Sequence, residues 1–435
     1  MINWPMIYQR LTSYSQKYKD CLSVLIIFFA GCYGIKQQIN DLSKNNRTSF
    51  YFEQTNKDLD NVLIVDGIRD KEFTDTFSWW HGPWCGLVKF YRPLSSLFFW
   101  FEYKLFNQEY WKYMTIHLLS HFAFLGICYI FFQLLIEPRY ALLATVFFGS
   151  AQLFCLLPSS KATLYNWKDS VDIWCSSAYL LSLITYIFSA QTTKTIIMRL
   201  FSYNFFIIAL LFKEMAYTLP FAIILISWFR GEFKESKNGI VVYMLIAIAM
   251  FAFRTYCLQG RGYHLGSNRA WLYKTLLNLG GTPTILVITG SWMEFATTLV
   301  LFSIAYLIFF KNAQKQTKII LLSVMFVLFC SSLLLAIKTI GYTLIALVGY
   351  IFEIEWKIPL SATIFILMML AIIKHELRAG IFAYLFAFIA YLPLISAPIT
   401  NHALYLVSAG WSLWLAIGVK SLIQLEHTKR QSIVS

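Results

Sequence analysis

The sequence predicts an all-α, polytopic integral membrane protein with about 12 transmembrane helices, outward-facing loops and interfacial helices. Three observations predict it. Of the 435 residues, 58% are hydrophobic and 18% aromatic, and only 13% are charged, about half the charged share of a soluble domain. Long apolar runs recur, at 21–35, 140–157, 240–253 and 319–337 among others. No soluble core buries so many, so the bilayer must solvate them, and in lipid each must satisfy its own backbone as a helix. The third observation is where the basic residues lie. Arg10, Lys17 and Lys19 precede the first run; Lys194, Arg199, Arg230, Lys234, Lys237, Lys311, Lys315 and Lys318 sit in later connections; Lys429 and Arg430 come last. That spread is the positive-inside pattern and places both termini in the cytoplasm. It also excludes a nucleic-acid reading of the net charge of +14, because no polar domain gathers the charge.

The elements follow in order, as a single membrane domain over 1–435 with no separate soluble domain. The run 21–35 has no small-x-small cleavage site, so it is a retained first span and not a signal peptide. Residues 36–110 form the first outward loop with its interfacial helices. Eight of the chain's 22 acids fall in its first part, 36–90: Asp41, Glu53, Asp58, Asp60, Asp66, Asp70, Glu72 and Asp75. Asn46-Arg47-Thr48 is a glycosylation sequon in the same loop. The tail Trp79-Trp80-His81-Gly82-Pro83-Trp84 belongs at a membrane–water interface, where Trp is apolar on one side and hydrogen-bonded on the other. Residues 95–106, very aromatic and carrying Glu102 and Lys104, read as a helix lying in that interface.

Spans follow at about 112–136, 140–157 and 173–190, with a short outward loop, 159–172, between the last two. The apolar stretch 201–229 is interrupted by Lys213-Glu214 and Pro220 and reads as two short helices meeting near Lys213. A span at 240–257 leads to the second outward loop, 258–282, whose Arg261, His264, Arg269 and Lys274 break the positive-inside pattern and so suit an anion. Between 319 and 357 the charge bias conflicts with the count of runs, and 339–352 is expected to be re-entrant or interfacial. Spans near 358–373, 381–395 and 403–420 complete the series. The eight cysteines form no CxxC pair and read as small buried hydrophobes.

Several polar side chains stand out against this background. Asp66 directly follows the apolar stretch Leu63-Ile64-Val65 and is either a general base toward an acceptor hydroxyl or an ordinary solvated acid. Arg92 is either a two-pronged phosphate clamp or a snorkelling interface arginine. Lys213 and Glu214 point about 100° apart on a helix and need partners elsewhere, since each costs roughly 2.5–3.5 kcal/mol at a span centre. His117 and His121 share a helix face at metal-ligand spacing. No third ligand is evident, and hydrogen bonding between helices is the favoured reading. His402, beside Asn401, falls just before the last span.

Taken in order, these pieces resemble the GT-C superfamily of polytopic glycosyltransferases, and most closely the membrane core of the TPR-containing protein O-mannosyltransferases and their bacterial relatives. Leu63 to Gly67 resembles that family's apolar run ending in an acidic pair, with Gly67 in place of the second acid. Tyr91-Arg92-Pro93-Leu94 matches its YRPL signature, followed by Trp111, Tyr113 and His121. The family usually has Asn where this chain has His117, and His where it has Met114. Lys213-Glu214 followed by Thr218-Leu219-Pro220 is similar to its KE…T-x-P pattern. Leu404-Tyr405-Leu406…Gly410 resembles its late RYLYLP…G motif, with His402 for Arg and Val407 for Pro. No TPR domain is expected in this chain.

The resemblance implies a membrane glycosyltransferase. It would move a sugar from a polyprenyl-phosphate donor to a hydroxyl of a protein, glycan or lipid at the outer (periplasmic or luminal) face, with inversion at the anomeric carbon. Asp66 would be the base. Arg92, Lys213, Arg261 and Arg269 would hold the donor phosphate, with Tyr91, His121, Glu214 and His402 in support; Glu214 would orient Lys213 or the acceptor. No cofactor is implied, and a divalent metal stays open. The membrane would be the inner one in a bacterium and the endoplasmic reticulum in a eukaryote. The competing readings are a transporter or flippase of a phosphate-bearing lipid and a non-catalytic scaffold. A transporter needs polar groups through the mid-plane, whereas these cluster at the outer ends of spans.

Overall fold

Around the break near Lys213 the chain organises itself as short helices running back and forth. The computed structural model describes residues 59–86, 89–107, 110–149, 170–190, 195–260, 367–393 and 405–434. The expected first span, residues 261–282 of the second outward loop and the region 319–357 lie outside these. Among the described residues every regular element is helical. They are α1 (Leu59–Ile68), a 3-10 helix (Thr74–Trp80), α2 (Pro93–Phe106), α3 (Tyr110–Gln133), α4 (Pro138–Gly149), α5 (Ser170–Ser189) and α6 (Thr195–Phe212). A second 3-10 helix (Glu214–Thr218), α7 (Leu219–Arg230), α8 (Phe233–Cys257), α9 (Leu377–Tyr391) and α10 (Tyr405–Val434) follow, with residues 367–375 also helical.

Four of the described helices carry segments long and apolar enough to cross a membrane: Thr115–Gln133, Ser170–Ser189, Ser236–Cys257 and Tyr405–Leu425. α5 is the central one. It packs on α3, α6, α7 and α10 and is buried almost all the way round, as a helix surrounded by other helices must be. α8 is peripheral: 11% of its most apolar stretch is buried, against 78% in α5. Val241, Leu245, Ile248 and Phe251 are exposed along it.

Small residues let the helices approach. A side chain at Gly410 would meet the backbone of Ala387 at 2.8 Å, so α10 and α9 touch closely there. Buried hydroxyls join α5, α6 and α8. The Ser182 hydroxyl donates to the Ser202 carbonyl at 2.8 Å, and Tyr243 bonds the Ser202 hydroxyl. Tyr186 and Ser227 pair at 2.8 Å between α5 and α7.

Ion pairs mark the two ends of the bundle. At one end Lys420 of α10 lies between Glu137, before α4, at 3.1 Å and Glu376, before α9, at 2.6 Å. Arg378 donates to the Trp228 carbonyl of α7 at 2.6 Å at the same end. The opposite end gathers the N-termini of α2, α5 and α7 with the C-termini of α6 and α8. This end holds most of the residues singled out from the sequence.

Candidate functional site

The break in the 201–229 stretch builds the site. α6 stops at Phe212, Lys213 is extended (φ −159°, ψ 148°), and a 3-10 turn leads into α7, which carries Pro220 in its first turn. Such a break frees backbone carbonyls, which protein must satisfy if the break lies at membrane depth. Ser95 of α2 donates to the Phe212 carbonyl at 2.8 Å, and Thr218 to the Met215 carbonyl at 2.9 Å.

Lys213 and Glu214 diverge from this point to different partners. The Lys213 ammonium reaches both oxygens of Asp172, at 2.6 and 2.7 Å. Asp172 is fully buried in the first turn of α5, where the helix dipole also favours its charge. Glu214 accepts Nε and Nη2 of Arg92 on one oxygen, Oε2, at 3.0 and 2.7 Å. Its other oxygen, Oε1, is buried with no hydrogen-bond partner among the described residues. Burial pushes the Glu214 carboxyl up, but the Arg92 guanidinium and then Arg254 outweigh it and hold it below the usual carboxylate range. Glu214 thus turns to Arg92, and Asp172 is what orients Lys213.

Arg92 is fixed by its surroundings. It precedes Pro93, the first residue of α2, which keeps it out of helical geometry (φ −142°). Its guanidinium lies 4.2 Å from the Phe90 ring centre and 4.7 Å from that of Trp84. Tyr91 is buried, donates to the Trp80 carbonyl at 3.1 Å and packs on Phe253 of α8.

Asp66 lies on α1, with Ile64, Val65 and Ile68 buried on either side of it in the chain. The stretch read from sequence as loop is helical. The Asp66 carboxylate is about half exposed, with Arg69 at 4.0 Å. Gly67 has no room for a side chain, since a Cβ would sit 2.1 Å from the Cys85 carbonyl oxygen. A second acid at this position would push α1 off the 84–86 loop. That loop is tied to Arg92: the Cys85 N–H donates to the Ser96 hydroxyl at 2.9 Å, and Ser96 donates to the Arg92 carbonyl.

The two histidines part company. His121 Nδ1 and the Tyr405 hydroxyl are 2.6 Å apart, joining α3 to the start of α10. His117 faces Glu102 of α2 at 3.7 Å, beside Trp174. Among the described residues no three ligating side chains converge as a metal site would require. Arg261, Arg269 and His402 lie outside the described residues.

Three participants escape the sequence reading. Asp172 reads as the end of a loop, although an acid in the first turn of a buried helix is a signal for a buried cation. Glu102 reads as an interfacial charge and is in fact buried, at 5% exposure. Arg254 is hidden at the end of the 240–257 run. It stands in the last turn of α8, near enough to act electrostatically on Glu214 and Tyr217, and its buried Nε has no hydrogen-bond partner among the described residues. Arg92, Lys213 and Arg254 against Asp172 and Glu214 leave one positive charge, so the cluster favours an anion. Comparison of the chain with family models, curated proteins and solved structures finds no match.

Proposed function

We propose that this chain is a membrane glycosyltransferase of GT-C type. It takes a sugar from a polyprenyl-phosphate donor and gives it to a hydroxyl acceptor (protein, glycan or lipid) at the outer face. One observation supports this reading above the others. Arg92 of the YRPL stretch and Glu214 of the KE stretch, 122 residues apart, share two hydrogen bonds at one end of the bundle. The motifs that carry the resemblance therefore meet in space. His121, downstream in the YRPL stretch, meets Tyr405 of the late stretch as well.

In this reading the whole chain forms about 12 spans with both termini cytoplasmic. The end with Lys420, Arg230 and Arg378 faces the cytoplasm, and the Arg92 end faces outward. The acceptor hydroxyl oxygen attacks the anomeric carbon from the side opposite the phosphate. The C–O bond to phosphate breaks, its electron pair leaves on the phosphate, and the configuration inverts. The acceptor proton passes to the Asp66 carboxylate, which is exposed and only loosely engaged by Arg69. The positive field of Arg92 and Lys213, with Arg261 and Arg269 from the second outward loop, stabilises the departing phosphate. Tyr91, His121, Glu214 and His402 hold this arrangement.

The test is sugar transfer in membranes containing the full chain, comparing wild type with Asp66→Asn and Arg92→Ala at matched expression. The donors are a mixed pool of radiolabelled polyprenyl-phosphate sugars. Transfer should fall at least about 100-fold in both variants, the size of a lost general base or of a lost positive charge near the departing phosphate. Transfer untouched by Asp66→Asn would move the base elsewhere. No transfer by wild type with any donor would reject the enzyme reading in favour of a lipid transporter or a scaffold.

A further inference from the structure

Arg92 and Lys213, the two phosphate-binding candidates that the structure describes, already have carboxylate partners. Arg92 gives two nitrogens to Glu214, and Lys213 is shared between both oxygens of Asp172. A ligand anion that captured either cation would leave a buried carboxylate uncompensated, which is an unfavourable exchange. Arg254 differs. Among the described residues no hydrogen bond or ion pair engages its side chain, and its Nε is buried.

The helix it stands on fixes where it points. Residues three apart on a helix share a face. Three residues before Arg254, Phe251 packs on Tyr217, which follows Glu214 in the 3-10 turn. Three residues after it, the Cys257 thiol meets the Trp80 carbonyl at 3.8 Å, the same oxygen that Tyr91 bonds. Arg254 therefore lies between the turn that carries Glu214 and the loop that carries Arg92.

We propose that Arg254 is the residue that directly binds the phosphate of the ligand. Arg92 and Lys213 act through their carboxylates as positioning residues. This deepens the donor reading above and rests on it for the chemical class of the ligand, a lipid-linked phosphate ester. The chemistry matches on both halves of such a ligand. Guanidinium offers two parallel hydrogen bonds to phosphate, and the apolar face of α8 offers a surface for the prenyl chain.

The experiment measures binding of farnesyl phosphate, with farnesol as the uncharged control, to the full chain purified in detergent. The variants are Arg254→Gln, Arg254→Lys and, as a surface-charge control, Lys104→Gln. Wild type should bind the phosphate in preference to the alcohol. Arg254→Gln should bind the phosphate roughly 10- to 100-fold more weakly, as expected for one lost charge-assisted pair. Arg254→Lys should fall between, and Lys104→Gln should match wild type. Arg254→Gln should lower the melting temperature only slightly, since no hydrogen bond among the described residues is lost and Glu214 keeps its pair with Arg92. Phosphate affinity unchanged in Arg254→Gln overturns the proposal, as does equal affinity of wild type for farnesol. Sugar transfer by the same variants separates this claim from the enzyme reading. If Arg254→Gln both binds and transfers like wild type, the proposal fails and the transferase stands. If Arg254→Gln loses phosphate binding while wild type transfers nothing, the anion site stands and the transferase fails.

Discussion

Arg92 and Glu214 show how a charge survives among apolar helices. Each satisfies the other, and the Phe90 and Trp84 rings cover the guanidinium. Removing one partner strands the other, which costs about 3–5 kcal/mol for a buried pair. Arg92→Met and Glu214→Met should each destabilise by that amount. The double variant should recover part of the loss, giving a coupling of about 1–3 kcal/mol in a thermal-unfolding cycle. The pair also sets a pH dependence. Glu214 ionises in the fold at a lower pH than in the unfolded chain. Its stabilisation is therefore complete above the ordinary carboxylate range and is lost as pH falls through the lowered value. Melting temperature should drop on acidification below about pH 4, and less steeply in Glu214→Gln. Asp66 behaves otherwise. It is exposed and weakly paired, so Asp66→Asn should leave the melting temperature unchanged even where it abolishes transfer.

At the scale of elements, the informative feature is the break between α6 and α7. A charged pair and a proline inside one apolar stretch made it legible, because neither is tolerated mid-helix without a reason. The partners were not legible. Adjacent residues on a helix diverge, so the sequence could say that Lys213 and Glu214 needed separate partners but not which ones. Those come from 41 residues before Lys213 and 122 before Glu214. Lys213→Met leaves Asp172 buried and unpaired at the start of α5. It should cost about 3–5 kcal/mol and be partly rescued by adding Asp172→Asn, measured by detergent-resistance or thermal unfolding. Gly67 makes the same point for α1. Sequence shows it only as a departure from an acidic pair. In the structure it is a packing requirement, set by the Cys85 carbonyl.

At the scale of the molecule, the fold is a set of helices around α5 with ion pairs at both ends. The Lys420–Glu137–Glu376 cluster joins α10 to the segments before α4 and α9. The proposed topology has a direct check. In a cysteine-free background, Asp70→Cys, near the Arg92 end, should react with an impermeant maleimide added to intact cells. Arg139→Cys, beside Glu137, should react only after permeabilisation. Labelling of both from one side would refute the orientation and the outward-facing site with it.

The sequence by itself determined the helical class, the membrane-compatible helices and the break at Lys213, since these follow from local composition and periodicity. It also marked Lys213, Glu214 and His121 as residues that needed partners, and Arg92 as a phosphate clamp or an interface arginine. Tertiary structure alone decided the pairs: Arg92 with Glu214, Lys213 with Asp172, His121 with Tyr405. It alone left Arg254 without one among the described residues. The reason is physical. Burying a charge is costly wherever it occurs in the chain, so the need is written locally, but what meets it depends on which helices the packing brings together.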